Sequence, residues 1–245
     1  MLLVNKFKNL KKFVLDLIFP PQCLFCAKST ENERFSLVCE SCFSKIPRQT
    51  ALFCPKCFLR RPKATNCPAC APKSDLKLLG VASSYRDEKV KTLLWKFKYG
   101  FLKDLAYPLG ELLTDYLKLA APEWRRDKSI VLIPVPLHKR KENWRGFNQS
   151  ELVGKIVAGN FGWQFENSAL IRTRHNPAQV EMENFEERQK NVENLFAVKN
   201  PEKIKDKKIV LVDDVFTSGA TLFECAKALK IAGAKRVYGL VIAKG

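Results

Sequence analysis

No run of about 18 or more uncharged apolar residues occurs in the chain, so no membrane-spanning helix is expected. Acids are scarce: Asp and Glu number 25 against 43 Lys and Arg, a formal net charge of +18. That deficit points to an anionic partner such as nucleic acid, a phosphorylated metabolite or an acidic membrane surface; the plainer reading is charge kept for solubility. An export signature is also missing. "MLLVNKFKNLKKFVLDLIFPPQC" carries Lys6, Lys8, Lys11 and Lys12 through its middle and has no continuous apolar core with a small-residue cleavage site. Its apolar residues Leu3, Val4, Phe7, Leu10, Val14, Leu17 and Ile18 recur at helical spacing. An amphipathic helix ending before Pro20-Pro21 is expected, its apolar face on the next module, with a membrane-surface role as the second reading. A cytoplasmic location follows as the expectation. The 245 residues, 46% hydrophobic with 13 prolines, suit one large globular domain or two smaller ones.

What the chain does have, at one end, is cysteine. Eight of its nine cysteines form four C-x-x-C pairs: Cys23/Cys26, Cys39/Cys42, Cys54/Cys57 and Cys67/Cys70. A C-x-x-C turn aims two thiolates at one point, and two such turns complete a tetrahedral zinc site. A disulfide framework needs an oxidising compartment, for which nothing here signals. A redox C-x-x-C normally occurs once, in a βαβ setting. Zinc is therefore expected on all eight thiols. Sequential pairing is the default and crossed pairing stays open. The segment around the pairs is short and rich in Lys, Arg and Pro, so metal binding should supply much of its folding free energy. Arg60, Arg61 and Lys63 give it a second reading as a nucleic-acid contact. Cys225 stands alone on a helical pattern and reads as a core residue.

From about residue 76 the pattern becomes α/β. "LKLLGVASSY" reads as a strand and "DEKVKTLLWKFKYG" as a helix closed by Gly100. "DLAYPLGELLTDYLKLAA" is a second helix, "SIVLIPVPL" a buried strand and "NQSELVGKIVAGN" a helix. "IVLVDDV", a helix from about Ala220 to Gly233, and the strand "KRVYGLVIAK" close the chain. Such alternation predicts a mostly parallel sheet with helices on both faces, behind a small cysteine module: residues 1–75, then 76–245. Ligands in such sheets lie at the carboxyl ends of the strands, where "PVPLHKRK" and "DDVFTSGAT" fall. Trp95, Phe97 and Phe101 in "LLWKFKYGFLK" read as core residues; their interleaving with lysines also suits base stacking along a single strand.

The last motif sets the chemistry. A strand that ends in a small, glycine-containing loop and turns into a helix makes an anion cradle from backbone N–H groups. Thr217, Ser218 and Thr221 add hydroxyls, and Gly219 allows a path that a β-carbon would obstruct. Asp213 and Asp214 would repel a bare phosphate. They make sense for a ligand that also carries hydroxyls, or a magnesium ion, as a ribose 5-phosphate would.

"VLVDDVFTSGATL" resembles the phosphoribosyl pyrophosphate signature of the type I phosphoribosyltransferases. With the cysteine pairs, "KTLLWKFKYG", "IPVPLHKRKENWRGFNQSELV" and "RHNPAQVEMENFEERQKNVENLF", essentially the whole chain resembles the ComF family. That family is linked to competence and DNA uptake and sets a phosphoribosyltransferase fold behind a double zinc ribbon. Asn176 stands where the family pattern leads one to expect Thr. The resemblance implies that Asp213 and Asp214 bind ribose hydroxyls and help place magnesium, as the catalytic pair. It implies that Thr217, Ser218, Gly219, Ala220 and Thr221 hold the 5-phosphate, and that His138, Lys139, Arg140 and Arg145 face pyrophosphate. Asn148 would bind ligand or brace the loop. Residues 172–196, with Arg172, Arg174, Gln179, Arg188 and Asn191, would form a lid or a plain surface hairpin. The implied partners are a sugar phosphate, single-stranded DNA, and a DNA-uptake helicase or membrane channel protein. The implied function is phosphoribosyl pyrophosphate binding with magnesium in the handling of single-stranded DNA. The alternative is an active phosphoribosyltransferase of nucleotide or amine metabolism with no DNA role. No acceptor pocket is legible in the residues.

Overall fold

In a computed structural model of the chain, residues 20–173 and 195–245 are described. The expected N-terminal helix and most of the expected lid, including Arg174, Asn176, Gln179, Arg188 and Asn191, lie outside the described residues. Contacts group the chain into two compact units, 1–46 and 47–245. Among its described residues the smaller holds the first two cysteine pairs and one short helix, α1 (Glu40–Ser44), with Phe35 and Phe43 edge-to-face at 4.9 Å as its aromatic core.

The larger unit begins with two-residue strands β1 (Leu52–Phe53) and β2 (Arg60–Arg61), which flank the third cysteine pair. Strand β3 (Leu76–Ser84) follows, then helix α2 (Glu88–Tyr99). Asp87 caps α2, its carboxylate accepting from the amides of Lys89 and Val90. Helices α3 (Ala106–Ala120) and α4 (Pro122–Arg126) lead to β4 (Ile130–Pro134). Pro108 sits in the first turn of α3, where its missing N–H costs nothing. Helix α5 (Lys139–Arg145), helix α6 (Gln149–Phe161), β5 (Gln164–Phe165), the hairpin strands β6 (Leu170–Arg172) and β7 (Phe196–Val198), β8 (Lys208–Phe216), α7 (Ala220–Ile231) and β9 (Arg236–Lys244) complete it.

Among the described residues the main sheet has seven strands in the order β2-β1-β3-β9-β8-β4-β5. β3, β9, β8, β4 and β5 run parallel, and β1 and β2 add an antiparallel edge. The parallel strands are buried almost throughout, as the continuous apolar runs require. The mostly parallel α/β sheet expected from the sequence is therefore present. Its edge was not expected: β1 and β2 belong to the cysteine-rich stretch, yet Phe53 pairs with Leu79 of β3.

One residue sets how closely α6 approaches the sheet. A β-carbon on Gly154 would lie 2.8 Å from Leu132 Cδ2 and 2.9 Å from Val212 Cγ1. Glycine removes that clash, and the N-terminal turn of α6 is thereby seated against the carboxyl end of β8.

Candidate functional site

The two cysteine tetrads assemble by sequential pairing: Cys23, Cys26, Cys39 and Cys42 in one, Cys54, Cys57, Cys67 and Cys70 in the other. Within each, the ligand atoms lie within 4.8 Å of one another, with Cys26 and Cys39 Sγ 3.6 Å apart and Cys57 and Cys67 Sγ 3.9 Å apart. Four thiolates around zinc at about 2.3 Å would stand about 3.8 Å apart, so both tetrads fit the ion. The proton balance agrees. The backbone amide of Cys70, chief among its causes, draws the Cys67 thiol down to about 7. Desolvation and then neighbouring sulfurs push Cys42 and Cys70 up to about 12. Without a cation each tetrad cannot hold all its thiolates; a divalent ion removes the conflict.

The acid pair lies near the carboxyl end of β8, and its two members have different surroundings. Asp214 is buried and fully engaged. Lys98 Nζ, from the last turn of α2, donates to Oδ1 at 2.7 Å, and Gln149 Nε2, from the start of α6, donates to Oδ2 at 2.7 Å. Burial alone would lower the Lys98 amine, but the Asp214 carboxylate outweighs it and holds Lys98 above its ordinary range. Asp213 remains part-exposed and, among the described residues, accepts at one oxygen only, Oδ1, from Ser150 Oγ at 3.0 Å and from the Asp214 amide at 2.8 Å. Desolvation, then the adjacent Asp214 charge, raises it to about 7.

The loop after β8 turns at Gly219, whose φ of 79° lies in the left-handed region. A β-carbon there would also stand 2.5 Å from the Phe216 ring, so glycine is required twice over. Gly219 is the N-cap of α7, and the pocket at this turn is lined by Asp213, Val215 and the run from Phe216 to Leu222. The Thr217 and Thr221 hydroxyls have no hydrogen-bond partner among the described residues. Free hydroxyls, the open amides of a helix start and its dipole together form an anion cradle.

The segment after β4 differs from the expected basic loop. Residues 139–145 are helical, closed by Gly146 at φ 75°. His138 caps this helix, its Nδ1 accepting from the Arg140 amide at 3.1 Å. Lys139 and Arg140 are exposed. Arg145 is buried, and its Nη1 donates to Gln149 Oε1 while its Nε has no hydrogen-bond partner among the described residues. Asn148 is a brace: it caps α6 through the Ser150 amide and donates to the Val135 carbonyl at 3.1 Å.

Cations crowd the acids. Lys141 is held below its ordinary range, by desolvation first and then by the charges of Arg172, Arg145 and Lys98. Arg172 on β6 is lowered chiefly by desolvation and feels Asp213. Lys98, Lys141, Arg145 and Arg172 thus share one field with two acids, one of them already paired. The surplus suits a multiply charged anion. Of these four, only Arg145 was singled out as a ligand contact from sequence. Gln149 and Ser150 were quoted inside "RGFNQS" without a role, and nothing local marks Lys98.

The aromatic expectation is corrected in part. Phe97 is fully buried, but Trp95, Tyr99, Phe101 and Trp144 are 56%, 49%, 44% and 59% exposed. The core face of α2 is Val90, Leu93, Leu94 and Phe97, a helical stripe that leaves Trp95 on the outer side. The exposed rings form a row: Trp95 to Tyr99 at 6.0 Å, Tyr99 to Trp144 at 6.3 Å and Phe101 to Trp144 at 5.1 Å. The Arg145 guanidinium lies 5.9 Å from the Tyr99 ring centroid and links the row to the acid pair. Cys225 is fully buried, as expected.

Residues 14–71 match the double zinc ribbon domain, and residues 151–244 match the phosphoribosyl transferase domain. Three relatives join the two parts in one chain. "DNA utilization protein YhgH" of Salmonella typhimurium is 27% identical over 222 residues, covering 90% of this chain and 96% of that one. "Competence protein ComFC" of Bacillus subtilis is 29% identical over 222 residues, 85% of this chain and 82% of that one. "Competence protein F" of Haemophilus influenzae is 25% identical over 227 residues, 89% and 96%. The chain is thus similar to ComF proteins along most of its length. Both matched parts are visible in the geometry: the two cysteine tetrads fit the zinc ribbons, and the parallel sheet with the β8–loop–α7 cradle fits the phosphoribosyl transferase domain. Among the described residues no helix is long and apolar enough to cross a membrane.

Proposed function

We propose that the site at the end of β8 binds phosphoribosyl pyrophosphate with magnesium, and that the protein handles single-stranded DNA in the cytoplasm during competence and DNA utilisation. The observation that carries the first half is the neighbourhood of three unlike features. An anion cradle, an under-engaged carboxylate and a surplus of cations lie together. Thr217 to Thr221 take the 5-phosphate. Asp213 takes the ribose hydroxyls, while Lys98 and Gln149 hold Asp214 in place beside it. Lys141, Arg145 and Arg172, with His138, Lys139 and Arg140 on the α5 side, face the pyrophosphate. Asp213 is the residue here that fits a magnesium ion, because its carboxylate makes no direct ion pair among the described residues; bound there, the ion would neutralise charge on the phosphates.

The names of the relatives support the second half, and so does the aromatic row beside a basic site. Bases stack on exposed rings while phosphates pair with lysines. The crowded cations favour one further reading, that of a transferase: they would stabilise pyrophosphate as it departs.

The deciding experiment is calorimetric titration of the zinc-loaded protein with phosphoribosyl pyrophosphate and magnesium. Saturable binding is expected, abolished in Asp213→Asn with Asp214→Asn. Unchanged binding in that double variant removes the site assignment. For the DNA half, affinity for a single strand should fall with added salt and fall again in Trp144→Ala. A flat salt response and an unaffected variant would remove it.

A further inference from the structure

Behind the phosphate cradle lies a second cavity, of about 670 Å³, within the range of small-molecule sites. It does not include Asp213 or Asp214. Its walls come from the second ribbon (Pro55, Lys56, Phe58), the segment 73–75, the Phe216–Ala220 turn, the outer side of α7 (Phe223, Glu224, Lys227) and Lys244 at the end of β9. The turn is a shared wall: Phe216, Thr217, Ser218 and Ala220 border both this cavity and the cradle.

Its chemistry is specific. Lys56, Lys73, Lys227 and Lys244 bring more positive charge than Asp75 and Glu224 offset. Lys73 and Lys227 make no side-chain hydrogen bond or ion pair among the described residues. Lys56 donates to the Lys73 carbonyl, and Lys244 sits 4.6 Å over the Phe58 ring. Between the lysines stand three aromatic rings. Phe216 and Phe223 meet edge-on at 6.5 Å, and Phe58 stacks on Phe53 at 4.6 Å.

Phe58 adds an independent observation. In both ribbons the residue after the second cysteine of the leading pair has a left-handed backbone: Ala27 at φ 56° and Phe58 at φ 58°. Such a conformation is rare for a bulky side chain and disfavoured by about 1–2 kcal/mol. The first ribbon fills the position with a methyl group. The second holds a large ring there, on the cavity wall. Strain kept at a cavity points to a use for the side chain that causes it.

We propose that this cavity is a binding site for a nucleobase carrying a phosphate, distinct from the phosphoribosyl site across the turn. The rings take the base, Lys73 and Lys227 take the phosphate, and Asp75 accepts from an exocyclic amine or a sugar hydroxyl. Two sources have this chemistry: a free nucleoside monophosphate, and a nucleotide within a single strand. The second ribbon supplies part of the wall, so its zinc shapes a ligand site. The proposal does not need the phosphoribosyl reading and survives its failure.

The test is titration of the zinc-loaded full chain, with saturating ribose 5-phosphate present to fill the cradle. The probes are thymidine 5′-monophosphate and a 5′-phosphorylated oligothymidylate. At least one probe should bind, and Lys227→Glu should weaken it about tenfold or more. Phe223→Leu, which keeps an apolar wall but removes the ring, should weaken it less. Lys199→Glu, a charge reversal outside the cavity, should leave it unchanged. Binding of the monophosphate identifies a free nucleotide as sufficient; binding of the oligonucleotide alone identifies the strand. The proposal is overturned if neither probe binds, if ribose 5-phosphate displaces both, or if Lys227→Glu binds as tightly as the parent chain.

Discussion

The first cysteine tetrad lies in a compact unit of 46 residues, while the second lies in the unit that carries the seven-stranded sheet. Their ligand sets and C-x-x-C turns are alike. The difference comes from what surrounds the third pair. β1 and β2 flank it, and β1 pairs directly with β3. Among the described residues the first ribbon has no such strand; its one bridge links Gln22 to Ser29 within itself. A zinc ribbon too small to bury its own core can thus close on its metal alone, or borrow a sheet edge. In the second case the metal also holds part of a larger domain in place.

The largest test of this contrast is removal of one ligand from each tetrad. Cys54→Ser should cost the larger unit on the order of 5 kcal/mol, because metal affinity there is folding free energy. Hydrogen exchange should then rise through β1, β2 and the exposed side of β3. Cys42→Ser should raise exchange in residues 20–46 and leave β8 and β9 protected. If both variants loosen the same strands, the two ribbons are not different in the way described.

A middle-sized test uses the matched left-handed positions. Ala27→Gly relieves backbone strain and adds unfolded-chain entropy, two effects of about 1 kcal/mol that nearly cancel. Phe58→Gly also relieves strain but loses the stack on Phe53 and half-buried apolar surface, for a net cost of about 2 kcal/mol. Thermal unfolding of the pair of variants checks this, and equal midpoints would show that the ring contributes nothing.

The test with the smallest effect per step is a pH slope in the larger unit, at most about 1.4 kcal/mol per pH unit. Asp213 is raised to about 7 from an ordinary value near 4. The folded state therefore keeps a proton that the unfolded chain releases. Its stabilising contribution is complete below about pH 4 and is lost as pH rises through 7. Asp213→Asn should flatten the stability profile of the metal-loaded, sugar-free protein across that window while binding of the sugar phosphate is lost. Identical slopes in parent and variant would remove the assigned cause.

Much of the site was legible because its signals are local. The β8 run, the Gly219 turn and the start of α7 are consecutive, and hydrophobic periodicity, a required glycine and a helix start each read from a few residues. Less was legible after β4. "HKRKENWR" is too charged to show an apolar face, so its helix was missed; the signal available was Gly146, a helix-ending glycine. The exposure of Trp95 was readable in principle from the Val90-Leu93-Leu94-Phe97 stripe.

By itself the sequence determined the eight paired cysteines, the order of the longer strands and helices and the small turn that ends β8, since each depends on neighbours along the chain. Tertiary structure decided the rest. It joined the second ribbon to the sheet, opened a cavity behind the turn and brought Lys98 to Asp214 across 116 positions. Those outcomes depend on how closely elements pack, and a single missing β-carbon at Gly154 sets one such approach. Asp213 and Asp214 are adjacent and chemically identical in the sequence, and only packing made one a paired anchor and left the other with no ion pair among the described residues.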